Sequence, residues 1–323
     1  MNTNSQGLLL PQQKPENEKI WAGLLHLSFN FALGIKKFGG IRTEFEPVET
    51  LWNDSLNSMA QAGFNMVLLD LGDAIRYNSH PEIAVRNAWT PERLREELDK
   101  IRKLGLEPIP LLNFSTGHDA WLGKYSRMVS TEPYYIVVKD LIKEVADIFD
   151  VPRFFHLGMD EETTQNQLSI GFEHIVVRQK ELWWGDFYAL IGEVFKNGSR
   201  PWVWSDYYWH NPELFLKNMP KSVLQSNWYY GESFDTNIPY VKAYLDLQNY
   251  GYDQVPTGSN AEKSEICFYN TVQFCENNIS DNKLLGYFQT FWKPLTEKYR
   301  TPIMKGIEIV GNAKKWYLEN RSK

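Results

Sequence analysis

From residue 20 to its end the chain alternates short apolar runs with amphipathic stretches, eight times over, with no linker and no shift in composition. That alternation constrains the fold more than any other feature. Strands separated by helices pair in parallel, because each crossover helix returns the chain to the same end of the sheet. Candidate strands occupy residues 20–31, 64–71, 106–113, 153–158, 201–205, 223–228, 252–256 and 284–290. Helical spacing fills the intervals. Val48, Leu51, Trp52, Met59 and Ala60 recur before a Gly63 stop, and Thr90-Pro91 opens a helix to residue 103. Proline at a first helical position suits its fixed φ. Further helices are expected from Pro133 onward, over 168–196, after Asn211-Pro212, over 238–250 ahead of Gly251, over 261–278 and over 296–318. Eight strand–helix pairs in roughly 250–300 residues fit a closed (β/α)8 TIM barrel, an α/β fold. The expected organisation is a polar tail, residues 1–19, and a single barrel domain, residues 20–323. A doubly wound open sheet competes, but no Gly-rich turn follows the first strand and no phosphate-binding loop occurs.

The chain is 43% hydrophobic, enough for a full core, and its formal net charge is −6. An acidic balance argues against a nucleic-acid partner, which favours a basic face. No lysine-rich amphipathic helix suggests a membrane surface, and no apolar run has the length of a transmembrane helix. Cys267 and Cys275 are too few for a disulfide framework and suit small buried apolar positions. The apolar run Leu8-Leu9-Leu10 is too short for a signal peptide. The expected location is therefore cytoplasmic, or the chain is the mature form of an exported protein. Aromatic residues are abundant: 12 Trp, 17 Tyr and 18 Phe. Flat apolar rings with polar edges suit sugars, whose C–H faces are apolar and whose rims are hydroxyls, although a large aromatic core gives the same composition.

Sites in such barrels form at the C-terminal ends of the strands. Those ends carry His26, Ser28 and Asn30; Asp70 and Asp73; Asn113 and His118; His156, Asp160, Glu161 and Glu162; Trp204, Asp206 and Tyr207; Trp228, Tyr229, Tyr230 and Glu232; and Gln289, Thr290 and Trp292. The fourth is the most informative, because Phe154-Phe155-His156-Leu157-Gly158-Met159 runs straight into three consecutive carboxylates. Adjacent like charges repel, so at least one of these groups is expected to resist ionisation, which is what a general acid needs. The plain alternative is a solvated loop or a helix cap. Two chemistries suit the ring: glycoside hydrolysis by a carboxylic acid among sugar-holding aromatics, and metal-assisted hydrolysis by His26, Asp70, His118, His156 and Asp160. The histidines are single and form no His-x-His or HExxH pattern, which disfavours a metal site. Asp70 and Asp73 either wall the site or pair with Arg76 and Arg86, and Glu162 is a candidate cap.

His156-Leu157-Gly158-Met159-Asp160-Glu161 resembles the His-x-Gly-Gly-Asp-Glu motif of glycoside hydrolase family 20, the β-N-acetylhexosaminidases. Gly117-His118 resembles that family's third-strand Pro-Gly-His, Trp202-Val203-Trp204 its fifth-strand Val-Trp, and Trp228-Tyr229 its sixth-strand Trp-Tyr, while Trp292 falls where an eighth-strand tryptophan is expected. The resemblance implies retaining hydrolysis assisted by the substrate's own 2-acetamido group, with a carbohydrate partner and no cofactor or metal. Glu161 would be the general acid and then the base for water. Asp160 would accept the acetamido N–H, and Tyr229 would donate to the acetamido oxygen. Trp204, Trp228 and Trp292 would wall the pocket, with His118, His156 and Asp206 as further substrate-binding residues. The pattern also departs from the family. The strand-one arginine that grips the outer hydroxyls is absent from His26-Leu27-Ser28-Phe29-Asn30. Leu111 and Asn113 replace an acidic pair, Met159 replaces the second glycine, and Pro294 stands where a glutamate is expected. The family's N-terminal α/β domain has no counterpart ahead of Ile20. A non-standard specificity is therefore expected. The alternatives are a two-carboxylate glycosidase, with Asp206 or Glu232 partnering Glu161, and a carbohydrate-binding barrel without turnover.

Overall fold

The computed structural model describes residues 18–31, 40–260 and 264–321, so most of the expected polar tail lies outside the described residues. The chain runs β1 (Ile20–His26), α1 (Glu49–Gln61), β2 (Met66–Asp70), α2 (Pro91–Lys103), β3 (Glu107–Leu111), α3 (Glu132–Ile148), β4 (Phe154–His156), α4 (Thr164–Ser169), α5 (Lys180–Lys196) and β5 (Arg200–Trp204). It continues through α6 (Asp206–His210), α7 (Pro212–Asn218), β6 (Leu224–Ser226), α8 (Pro239–Asn249), β7 (Thr257–Ser259), α9 (Cys267–Asn278), β8 (Gly286–Thr290) and α10 (Arg300–Arg321).

All strand pairs are parallel, in the order β6-β5-β4-β3-β2-β1-β8-β7. Isolated bridges Gln225↔Gln254 and Trp228↔Thr257 join the two ends, so the (β/α)8 barrel is nearly closed. Alternate side chains of a strand point to opposite faces. One set, including Ala22, Leu24, Leu68, Ile109, Phe154, Trp202, Leu224 and Phe288, packs inside the barrel. The other, including Trp21, Leu25, Val67, Leu69, Phe155 and Val203, packs against the helices. Cys267 and Cys275 are free and buried. No helix among the described residues is long and apolar enough to cross a membrane.

Three boundaries differ from the sequence expectation. The helix expected over 168–196 is two helices, because Gly171, at φ +88°, closes α4 and turns the chain. The segment between them carries the buried Arg178 into the protein. The seventh strand is Thr257–Ser259 rather than 252–256. Pro256, which has no N–H for a ladder, marks the boundary, and Gln254 serves instead as a single bridge to residues on both sides. The strands are also shorter than their apolar runs, since residues beyond the ladder continue inward as site walls.

Candidate active site

The inward set of each strand, followed up to two residues past its end, delivers the mouth of the barrel. His26, Asp70, Asn113, Trp204, Trp228 and Thr290 all arise by this period of two. The fourth strand needs more than alternation, because Asp160 and Glu161 are neighbours and both belong to one cluster. Gly158, Met159 and Glu161 lie at φ +72°, +75° and +54°. These left-handed residues coil the chain so that both carboxylates are presented. Such backbone is costly for non-glycine residues and concentrates at functional sites. Gly158 is obligatory, since a Cβ there would lie 2.0 Å from Asn113 Oδ1.

Asn113 organises the turn. Its Oδ1 accepts from the N–H groups of Ser115 (3.1 Å) and Met159 (3.3 Å), and its Nδ2 donates to Asp160 Oδ1 at 2.8 Å. His118 Nε2 lies 3.4 Å from Asp160 Oδ2 and 3.2 Å from Glu161 Oε2. Asp206 accepts the Glu161 N–H at 3.0 Å on Oδ2 and the Trp228 Nε1–H at 2.6 Å on Oδ1. One histidine and three carboxylates thus share a pocket in which His118, Asp160 and Asp206 are buried, while the Glu161 side chain is 35% exposed.

The proton inventory follows from that geometry. Burial raises the Asp160 carboxyl above the ordinary range, against the opposing charge of His118. Burial, then the charges of Asp160 and Glu161, push Asp206 well above it. Burial works against a charge on His118, but Asp160, Glu161 and Asp206 together raise it to about 9. Burial also acts to raise Glu161, yet the hydrogen bond and charge of His118 outweigh it and hold this carboxyl low. Of the adjacent carboxylates after β4 the one that resists ionisation is therefore Asp160, as Asp206 beside it also does, and the proton nearest Glu161 rests on His118.

His156 sits deeper, fully buried, with its ring centroid 4.6 Å from that of Trp204 and 5.4 Å from that of Trp202. Burial lowers it to about 3, so it is neutral, and its Nδ1 accepts the Gly158 N–H at 3.0 Å. It supports the turn from below. Trp204 stacks on Phe288 (5.3 Å, 2°) as the floor of the mouth, and Trp292 lies over it at 6.4 Å.

Tyr229 requires a correction. Its ring lies against Phe234 (5.4 Å) and Tyr240 (6.4 Å), on the helix side of the sheet, away from the carboxylates. The residue that faces the mouth is Tyr230. Its hydroxyl accepts from Trp292 Nε1 at 2.8 Å, lies 3.2 Å from Thr290 Oγ1 and senses the charge of Asp160. The reason is again alternation. Trp228 points inward to Asp206, so Tyr229 points out and Tyr230 in, 4.9 Å from the Trp228 ring. The period of two, legible in the sequence, favours Tyr230 where the motif resemblance implies Tyr229.

The other acidic residues are tied structurally. Asp70 pairs with His26 Nδ1 at 2.8 Å. Asp73 accepts from Ser28 (2.6 Å) and Asn30 (2.7 Å), while Arg86 pairs with Glu44. Glu162 does not cap the following helix, whose N-cap is Thr163, but it accepts the loop N–H groups of Thr116 (3.2 Å) and Arg178 (3.1 Å). It also binds the buried Arg178 side chain through two hydrogen bonds of 2.8 and 2.6 Å, and Arg178 reaches Asp186 at 3.1 Å. Glu232 is exposed. Arg178 carries no signal in the sequence, because a single arginine in a polar stretch looks solvated.

Two spaces adjoin the cluster. Among the described residues the mouth between His26, Asn113, His118, Trp204 and Trp292 encloses only about 10 Å³, room for about one water. On the other flank of Glu161, between the turn after β4, the start of α5 and the segment after β5, lies a cavity of about 350 Å³.

Comparison with solved structures places this architecture. A β-N-acetylhexosaminidase from Bacteroides fragilis superposes with a TM-score of 0.62 at 12% identity, over 94% of this chain and 71% of that one. Flavobacterium johnsoniae chitobiase gives 0.62 at 18%, over 93% and 50%. Dispersin B gives 0.59 at 15%, over 92% and 99%. The fold is that of the family 20 barrels. The chain spans about half the length of the chitobiase and nearly all of dispersin B. No protein-family model and no curated protein sequence matches this chain.

Proposed function

We propose that the protein is a divergent glycoside hydrolase of the family 20 type that cleaves 2-acetamido sugars by substrate assistance. The observation that carries this reading is the pair Asp160–Glu161, delivered side by side beyond β4 with His118 within 3.4 Å of both. Glu161, the partly exposed member, is the proton donor. It takes its proton from His118 across the 3.2 Å contact and gives it to the leaving oxygen as the glycosidic electron pair moves onto that atom. As the acetamido oxygen bonds to the anomeric carbon and the glycosidic bond breaks, Asp160, held by Asn113, passes its proton to His118 Nε2 in place of the one given to Glu161 and accepts the acetamido N–H. Burial makes its anion unfavourable in the free protein, so the anion forms only beside the positive charge developing on the acetamido group, which it stabilises. Tyr230 turns its hydroxyl from Thr290 to donate to the acetamido oxygen, and Trp204, Trp228 and Trp292 wall the sugar.

The geometry supports this scheme over a two-carboxylate one. Of the two partners offered for such a scheme, Glu232 is exposed and Asp206 already accepts an N–H on each oxygen. It acts as a fixed post for the Glu161 backbone and Trp228. Seating a sugar ring in the mouth requires Trp292 to swing aside.

The test is hydrolysis of aryl 2-acetamido glycosides beside the same glycosides lacking the acetamido group. Glu161→Gln is expected to lower kcat at least a thousandfold without change in thermal stability, and a thiazoline mimic of the bicyclic intermediate is expected to inhibit. Turnover of substrates without the acetamido group would point to the two-carboxylate scheme, and glycan binding without turnover to a carbohydrate-binding barrel.

A further inference from the structure

The outward face of a surface helix normally carries charge. The exposed positions of α2 obey this rule: they are Glu92, Glu96, Asp99, Lys100 and Lys103. On α5 the exposed positions between Glu181 and Lys196 are Leu182, Gly185, Tyr188, Ala189, Gly192 and Phe195, with no charge among them. Leu182, Tyr188 and Phe195 are each roughly half exposed. Beside Ala189 the surface dips into a groove of about 310 Å³ between α3 and α5, lined by Tyr135, Val138 and the opposite charges of Lys139 and Glu193. Ile136, exposed on α3, widens the apolar patch there. Single apolar side chains on a surface are ordinary, but a continuous patch marks a surface that associates.

Gly185 and Gly192 have no use within one copy of the chain. A Cβ at either would meet nothing within 4 Å, and neither has the positive φ that calls for glycine. Glycine inside a helix lowers its stability relative to alanine, so the pair weakens α5 with nothing in this chain to compensate. What glycine offers is close approach of a second backbone. The occupant follows from the order of the residues. About the midpoint between Tyr188 and Ala189, Gly185 corresponds to Gly192, Leu182 to Phe195 and Glu181 to Lys196. Two antiparallel α5 helices related by a two-fold axis through that midpoint set each residue level with its counterpart in the other copy, because contact across such an axis is reciprocal. Gly185 then faces Gly192 near the centre, apolar groups face apolar groups, and Glu181 meets the opposite charge of Lys196 at both ends. Lys180 turns the other way, into the cavity beside Glu161. Lys196 has a contact in its own chain, Glu193 at 3.4 Å, but an exposed pair of this kind holds it weakly. A different protein would need none of this internal symmetry.

We propose that the protein forms a two-fold symmetric dimer in which α5 of one copy packs antiparallel on α5 of a second, with α3 at the flank of the contact. A helix of 17 residues is about 25 Å long, so the patch falls short of the roughly 800 Å² per partner of standard interfaces, and the dimer is expected to exchange with monomer at micromolar concentration. The test is sedimentation equilibrium of the full chain from about 1 to about 100 µM, where a monomer–dimer equilibrium is expected. Gly192→Arg places bulk and charge near the centre and is expected to leave monomer alone. Glu181→Lys and Lys196→Glu each bring like charges together at both ends and are expected to raise the dissociation constant at least fivefold. The two combined restore opposite charges and should return it to within twofold of the wild type. Circular dichroism checks the fold of every variant, and the charge variants, at exposed positions, keep the test decisive if Gly192→Arg does not fold. Monomer throughout, assembly beyond two copies, a folded Gly192→Arg variant that still dimerises, or a combined charge variant as weak as its parents overturns the proposal.

Discussion

Arg178 offers the sharpest test of how the carboxylate turn is held. The side chain is 1% exposed, and the carboxylates it serves, Glu162 and Asp186, are 4% and 0% exposed. It donates to both and to the Phe114 carbonyl (2.9 Å), tying the turn after β4 to β3 and to α5. Arg178→Met removes the cation and leaves two buried carboxylates uncompensated. Breaking a buried pair in this way costs about 3–5 kcal/mol. At roughly 2 °C per kcal/mol, the low end suited to a chain of this size, Tm should fall by about 6–10 °C at pH 7. Adding Glu162→Gln and Asp186→Asn, which removes the uncompensated charges, should recover at least half of the loss. Because Glu161 precedes Glu162, kcat should drop tenfold or more even at temperatures where the variant is folded. Thermal unfolding followed by circular dichroism decides the matter. A fall of less than 2 °C at pH 7, or no recovery in the triple variant, would refute the view that this arginine balances buried charge.

Two further outcomes follow from the cluster. With His118 raised to about 9 and Glu161 held low, the proton they share should be lost only in alkaline solution. The alkaline limb of kcat/KM should therefore lie near pH 9, and in His118→Gln it should move down by several pH units, because Glu161 must then hold the proton alone; a limb that stays in place would exclude His118 as the proton's resting site. Tyr230→Phe should lower kcat on acetamido substrates at least tenfold while Tyr229→Phe leaves it within twofold, and the reverse order in steady-state kinetics would restore the motif-based assignment.

Much of the architecture was readable before any coordinates. Eight alternations of apolar run and amphipathic stretch specify a parallel barrel, because local periodicity decides which face of each element is apolar and leaves few ways to bury all of them at once. The same periodicity points Asp70, Asn113, Trp204 and Trp228 toward the mouth. Followed consistently, it would also have chosen Tyr230 over Tyr229. What sequence could not supply is anything that depends on contacts between distant segments. Arg178 becomes a structural centre only where three segments meet. The left-handed turn at Gly158–Glu161 is imposed by Asn113 from the neighbouring strand. Most of all, the location of the proton depends on how four titratable groups from three strand ends share one buried volume. Adjacent carboxylates in the sequence announce that a proton will be held, but only burial and distance decide that Asp160 and His118 hold it while Glu161 stays ionised.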